Sequence, residues 1–581
     1  MVFPDYPIYI DPDAFFGKHA AIIGSTGSGK SCSIATILQS IISREEVRQT
    51  RIVILDTNGE YRAAFQRQEE NGTHTNAIPN RRSLYIPTDP SGSGRLTVPY
   101  WFMDSDDFVR LFRAAPGVQR PVLLNALTLA RQEGLGPQWT FLRDTLMQEC
   151  HRVLALTATG SWQDRSAINV ICDGVVAALG SAQNQNALQE LVEQYPALQG
   201  APPIAVFRQV RVDAGRPNSQ NFDPLDMARR QRTETIFNGL ISNLASVPAV
   251  GLEGSAGSAD RPSYFGKTAF RYRHLETAMS RDQSNSARTR DNCSTMLTRI
   301  YRLLEDSRFE FLFGPCAEEW PAIRHGLATF LRDIIGMESS VDADAELTDS
   351  DTLAEGFLPF YDRQRVSAEA ANVVIVDLSL LASEVLENVT ALIGRLIHEF
   401  LQRLSDPISG VGRGEFPVVL VLEEAQNYIR ESRRTEEDSI SKQVFERIAR
   451  EGRKYGLGLV VASQRPSELS KTVLSQCNSF IVHRLQNPED LRYFREIVPG
   501  IYGQLLDQLP ALAPQTALVL GECVQAPALV EMREADPVPR NKNPQFYKSW
   551  TSDAAVPNVE AVCAKWEGAV APEDQEQAEP D

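Results

Sequence analysis

The sequence predicts an α/β protein built on a mainly parallel β-sheet, and three observations carry that prediction. Near-continuous Val/Ile/Leu runs bounded by turn residues recur along the chain, helical patterning follows many of them, and a glycine-rich G-x-x-x-x-G-K-S segment stands directly after the first run.

In order, the runs are Ala20–Ile23, Arg51–Leu55, Val373–Asp377, Val418–Leu422, Gly458–Ala462, Ser479–His483 and Thr516–Leu520. Several hardly alternate between apolar and polar residues, which marks strands buried on both faces, as in a parallel sheet with helices on either side. Two runs come early and five late, so the sheet is completed across roughly 300 residues, far more than a plain connection needs. The expected organisation is a first part of the core at 1–130, a mostly helical insertion at 131–365, a second part of the core at 366–535, and a C-terminal extension at 536–581. Leu111–Leu156 reads as helical, while Asn218–Asp223 and Ser246–Lys267, rich in turn formers, read as loops. Lys267–Arg302 holds eight basic residues against three acidic ones, a candidate nucleic-acid contact or else a solvated helix face. Acids dominate from Ala561 onward, where a disordered acidic tail is expected.

Composition narrows the function classes. With 58 Lys+Arg against 75 Asp+Glu the chain carries −17, which argues against a general basic coat but leaves room for a local basic channel. No run approaches the roughly 20 apolar residues of a membrane span, and the start shows no basic-then-apolar signal, so a cytoplasmic protein without membrane contact is expected. The eight cysteines are scattered with no C-x-x-C pair and the seven histidines show no metal-ligand spacing, so reduced thiols and no structural zinc are expected.

The sharpest chemical signal is Gly24-Ser25-Thr26-Gly27-Ser28-Gly29-Lys30-Ser31, between the Ala20–Ile23 run and the apolar helix Ile34–Ile42. Glycines let backbone N–H groups turn inward around phosphates, Lys30 reaches the β and γ phosphates as a point charge, and Ser31 ligates Mg2+. Residues Gly24 to Cys32 are thus the candidate ATP-binding segment. Hydrolysis also needs an acid near the metal and a group that activates water, at the end of a neighbouring strand. Glu423 and Glu424 end the Val418–Leu422 run; Glu423 is assigned to the Mg2+ shell and Glu424 to orienting or deprotonating water. Gln464, after Gly458–Ala462, is placed to sense the γ-phosphate or align water. A helix from about Glu437 to Tyr455 is expected to bury Ile440, Val444 and Ile448 and to leave Arg447, Arg450, Arg453 and Lys454 on its other faces. One or two of these, Arg450 and Arg453 first, are candidates for arginine fingers reaching a neighbour's ATP site in a ring, with surface salt bridges as the plainer reading.

These pieces resemble the HerA family of hexameric DNA-translocating ATPases, in the HerA/FtsK branch of P-loop proteins. The resemblance rests on His19 to Ser31, on Ile54-Leu55-Asp56-Thr57-Asn58-Gly59-Glu60-Tyr61, on Val421-Leu422-Glu423-Glu424-Ala425-Gln426-Asn427-Tyr428, and on a stretch from Arg447 through Gly452-Arg453-Lys454-Tyr455-Gly456 to Ala462-Ser463-Gln464-Arg465-Pro466, all in one chain order. It implies a RecA-like ATPase core, a homohexamer that threads double-stranded DNA, and an effector partner of nuclease or NADase type, as in anti-phage systems. It also makes Asp56 and Glu60 candidates near the nucleotide or pore. Two departures stand out. Lys18 occupies a position where many relatives have arginine, and only about 19 residues precede the first run, so docking through the family's N-terminal β-barrel is not expected. Two rivals fit the same core: a conjugative coupling protein, disfavoured by the lack of a membrane anchor, and an ATP-gated scaffold that organises an effector without moving DNA. GTP is disfavoured because Asn541-Lys542-Asn543-Pro544 fails the N-K-x-D pattern.

Overall fold

The computed structural model describes residues 7–69, 73–87, 96–133, 138–159, 162–180, 182–214, 227–247, 260, 262, 264–280, 286–306, 309–313, 326–338, 370–404, 410–431, 439–540, 546–551 and 557–566. The chain forms two units: Met1–Arg113 together with Arg302–Asp581, and Ala114–Tyr301. The helical unit thus begins earlier and ends earlier than the expected 131–365. The chain is back in the first unit by Glu310–Phe313 and Gly326–Ile335.

In the first unit the Val/Ile/Leu runs form a nine-stranded sheet among the described residues. Its strands are β1 (Ala20–Ile23), β2 (Ile52–Asp56), β5 (Ser83–Ile86), β6 (Val373–Asp377), β7 (Val418–Leu422), β8 (Leu457–Ser463), β9 (Ser479–Val482), β10 (Thr516–Gly521) and β11 (Ala528–Glu531). A small hairpin, β3 (Gln66–Gln68) and β4 (His74–Asn76), stands apart from it. The order across the sheet is β11-β10-β9-β1-β8-β7-β2-β6-β5, parallel throughout except that β10 runs antiparallel to both neighbours. In this order one strand, β8, separates the strand before the glycine loop from the strand that ends in acids. The register pairs Ile23 with Ser463, Val461 with Leu422, and Asp56 with Asp377. Parallel pairing therefore brings the carboxyl ends of β1, β8, β7 and β2 to one edge, the crevice where open α/β sheets bind ligands.

One face is closed by the helix Lys30–Ile42, whose Ile34, Ala35 and Leu38 pack with Ile22, Ile54, Ile375 and Ile481. The helix Ile440–Glu451 starts at Ser439, whose side chain accepts from Lys442 N at 3.1 Å, and ends in a tight turn over Gly452–Tyr455. It buries Ile440 and Ile448 as expected, but Phe445 is the buried residue where Val444 was expected, and Val444 is half-buried.

The differences from the sequence reading have physical causes. β5 and β11 were not expected, because edge strands that are half-exposed lack the continuous apolar signal. Leu111–Leu156, which reads as helical, is divided between helices at Ser105–Leu111, Gln119–Glu133 and Gln138–Thr159. Arg113 at φ 48° and Gly117 at φ 96° flank Pro116, which has no N–H to give a helix. Ala561–Trp566, expected as tail, ends the helix Val559–Trp566. The loop expected at Asn218–Asp223 and most of Ser246–Lys267 lie outside the described residues, as do Arg281 and the side chains of Arg288 and Arg290.

The helical unit has its own apolar core. Leu146, Cys150 and Val153 meet Ile168 and Cys172, Leu191, Phe207 and Val210, and Phe237, Leu240 and Leu244, from five successive helices. The Phe207 and Phe237 rings meet edge-on at 5.1 Å. Among the described residues no helix is long and apolar enough to cross a membrane, and no cluster of three or more His, Cys, Asp or Glu is arranged to hold a metal. The described cysteines are free thiols.

Candidate active site

The glycine loop leaves β1 held on both sides. Gly24 N donates to Ser463 O at 3.2 Å and Ser25 N to Arg484 O at 2.9 Å, while Ser28 N closes the turn onto Ser25 O at 3.1 Å. A side chain at Gly24 does not fit: its Cβ falls 2.5 Å from Ser28 Oγ and 2.6 Å from His483 Cβ. Gly29, at φ 106°, opens the helix and lies against the backbone of Gln515, whose N–H donates to Ser28 O at 2.9 Å. Thr26 and Gly27, at the tip, are exposed. Cys32, the last residue expected in the loop, turns its thiol toward Ala535, whose N–H it accepts at 3.4 Å. Only its backbone remains available to a ligand.

Lys30 is the centre of the site. It is 5% exposed, with Nζ 2.6 Å from Glu424 Oε1 and 3.4 Å from Glu423 Oε1. Burial opposes its charge, but Glu423 and Glu424 outweigh burial and hold the ammonium above its ordinary pKa. Glu423 is fully buried, and its Oε2 accepts from Tyr61 Oη at 2.8 Å. Burial, with Glu423 beside it, pushes the Tyr61 phenol far up, so it stays a donor. Glu423 Oε1 accepts no hydrogen bond and meets only the Lys30 ammonium, at 3.4 Å, which makes it a buried oxygen open to a hard cation once Lys30 turns to another partner. Glu424 follows in the left-handed region at φ 44°, ψ 48°, and four polar groups bind or shape its carboxylate. Its Oε1 accepts from Lys30 and from Gln464 Nε2; its Oε2 accepts from Gln426 Nε2 at 2.5 Å, and Gln426 in turn accepts from Ser463 Oγ at 2.7 Å. Thr26 Oγ1 donates to Gln464 Oε1, joining the loop tip to the same network.

The two acids that only the resemblance singled out separate into different tasks. Glu60 lies near the loop: burial raises its pKa, while the neighbouring Ser31 side chain acts the other way. Asp56 instead ties down its own loop, accepting from Gly59 N at 2.9 Å and Tyr61 N at 2.8 Å. Burial pushes its pKa up to about 7 against those backbone bonds. It holds Tyr61 where Tyr61 can meet Glu423.

Arg450 and Arg453 are exposed, and among the described residues neither side chain makes a hydrogen bond or ion pair. Arg447 pairs with Glu451 at 3.3 Å. The helix that carries Arg450 is anchored to the glycine-loop strand by buried His19, whose Nε2 bonds Ala449 O at 3.0 Å while Nδ1 accepts from Leu459 N at 3.0 Å. Tyr61, Gln426 and Ser463 were missed as site residues. All three lie inside the quoted motifs, and the available signal was a polar residue beside a strand end that already carried acids.

Residues 2–198 match the family model described as Helicase HerA, central domain. A probable helicase of Methanocaldococcus jannaschii is 36% identical over 144 residues, 25% of this chain and 27% of the relative. The DNA double-strand break repair helicase HerA of Saccharolobus solfataricus is 30% identical over 160 residues, 27% of this chain and 31% of the relative. The matches thus span about a third or less of the length of these curated relatives. Among solved structures, the plasmid coupling protein TrwB with a non-hydrolysable ATP analogue is 12% identical with a TM-score of 0.36, covering 93% of this chain and 92% of that one.

Proposed function

We propose that the chain is a member of the HerA helicase family, whose central-domain model matches residues 2–198, and that it is an ATP-hydrolysing motor acting on double-stranded DNA. The observation that carries the proposal is the group of buried Lys30 and Glu424 with half-buried Gln464, in which a cation for phosphates, a carboxylate for water and an amide for the γ-phosphate stand in direct contact. Of the segment Gly24 to Cys32, the N–H groups of Gly24, Ser25 and Ser28 hold the loop in shape, those of Gly27 and of Gly29 to Cys32 cradle the phosphates, and Lys30 exchanges its carboxylate partners for the β and γ phosphates. Ser31 and Glu423, whose Oε1 loses its one cation when Lys30 moves to phosphate, are the residues that would hold Mg2+, which would neutralise phosphate charge. Glu424 orients the attacking water and Gln464 aligns it with the γ-phosphate.

The site wants a cation from outside its own subunit, since Arg450 and Arg453 are exposed and make no side-chain partnership among the described residues. A homohexamer, with these arginines entering a neighbour's site, meets that need. DNA as the track is supported by the charge distribution: residues 114–301 carry 19 Lys/Arg and 16 Asp/Glu, or +3, whereas the rest of the chain carries −20 of the total −17. An effector of nuclease or NADase type, in a cytoplasmic anti-phage setting, is the finer reading that the family likeness brings.

The test is the steady-state ATPase rate with and without blunt duplex DNA across a salt series. Several-fold stimulation that fades as salt rises supports the motor, because phosphate contacts release counterions. A rate that ignores DNA and responds only to an added effector identifies the scaffold instead.

A further inference from the structure

We propose that Gln426, locked by Ser463, is a positioning residue that decides which oxygen of Glu424 faces the water; the inference rests on Glu424 being the water-orienting group. The local chain geometry builds the contact. Glu424 in the left-handed region turns the backbone at the end of β7, and the single turn Ala425–Asn427 brings the Gln426 amide back onto the carboxylate two residues earlier.

The hydrogen bonds then run in one direction. Arg465 N donates to Ser463 Oγ at 3.1 Å, so the serine proton is left to donate to Gln426 Oε1 at 2.7 Å. With its oxygen accepting, the Gln426 amide must present its NH2 to Glu424 Oε2, at 2.5 Å. A second amide acts on the other oxygen: Thr26 donates to Gln464 Oε1, so Gln464 presents its NH2 to Glu424 Oε1, which Lys30 shares. The two oxygens are therefore unlike. Oε2 is held from β7 and β8 alone, by residues that no phosphate contacts in the proposed reaction. Oε1 is held by groups that the nucleotide recruits, so it is the oxygen set free when Lys30 moves to phosphate. Gln426, Ser463 and Glu424 are 8%, 0% and 4% exposed, so bulk water does not replace a lost bond in this network.

The test compares Gln426→Ala, Ser463→Ala, their double mutant and Ser463→Thr in the full chain, reading kcat, KM for ATP, the Kd of a fluorescent ATP analogue and Tm. Each alanine variant should lower kcat by about 10- to 100-fold with KM and Kd within about threefold of wild type, since a misplaced catalytic group costs rate and not ground-state binding. The double mutant should be no worse than the worse single, because Ser463 acts only through Gln426. Ser463→Thr keeps the hydroxyl and should restore kcat to within about threefold. If Gln426→Ala fails to fold, Ser463→Ala decides alone, as it leaves the glutamine in place. A wild-type kcat in folded Gln426→Ala or Ser463→Ala, or losses that multiply in the double mutant, overturns the inference. Glu424→Gln run in parallel separates the two levels: if it turns over ATP normally the water-orienting reading has failed, whereas an inactive Glu424→Gln beside a fully active Gln426→Ala sinks the positioning role only.

Discussion

The carboxyl edge of the sheet and the helical unit Ala114–Tyr301 bury polar groups in opposite ways. At the sheet edge Lys30, Glu423, Glu424, Gln426 and Ser463 are all buried, and they bond one another together with Tyr61 and Gln464. In the apolar core of the helical unit buried polar groups close local bonds instead: Thr157 Oγ1 returns to Val153 O one turn back at 2.8 Å, and Asn169 takes Arg211 at 3.1 Å. Charges withdrawn from water cost more than an apolar core of the same volume. A cluster of them at strand ends therefore marks chemistry.

That contrast is sharpened first at Lys30. Lys30→Ala leaves two buried carboxylates without their cation, so the nucleotide-free protein should lose about 3–5 kcal/mol as well as its affinity for ATP. Denaturant unfolding and titration with a fluorescent nucleotide check both, and undiminished stability would show that the cluster is not held together by charge. The mirror-image experiment is Phe237→Ala in the helical core, which should cost about 3–5 kcal/mol locally. Hydrogen exchange should report that loss within 114–301 while KM for ATP stays put. A large rise in KM would break the contrast, because the two regions would then be one energetic unit.

A smaller effect comes from the histidines that brace the site. His19 and His483 are buried and lowered from the ordinary 6.5 to about 4, by burial first, while their backbone bonds pull the other way. His483 bonds Ser33 Oγ at 2.9 Å and Thr516 O at 3.1 Å and so ties β9 to the glycine-loop helix. With a folded pKa below the unfolded one, each histidine favours the fold fully above pH 6.5 and loses that contribution as pH falls toward about 4. The loss is on the order of 3 kcal/mol per histidine at most. Tm against pH for His483→Gln should be flatter than wild type between those limits, and parallel curves would refute the assignment.

Legibility from sequence followed the range of the interactions. The loop Gly24–Ser31 was readable because its chemistry needs adjacent residues in one order, and Glu423-Glu424 because two acids ending an apolar strand are costly without a task. Gln426 and Ser463 were not, since their meeting depends on the β7–β8 register that sets Leu422 beside Val461. Tyr61 was hidden for the same reason: it reaches Glu423 only after β2 pairs with β7. The helical reading of Leu111–Leu156 holds on either side of Pro116-Gly117, where the chain leaves one helix before the next begins.

The most direct test of the whole account is Glu424→Gln, which keeps the shape of the side chain and removes its charge. Nucleotide affinity should stay within about threefold of wild type while single-turnover ATP hydrolysis falls by at least about 100-fold. Hydrolysis at a near wild-type rate would contradict the account and pass the water to Glu423 or Glu60.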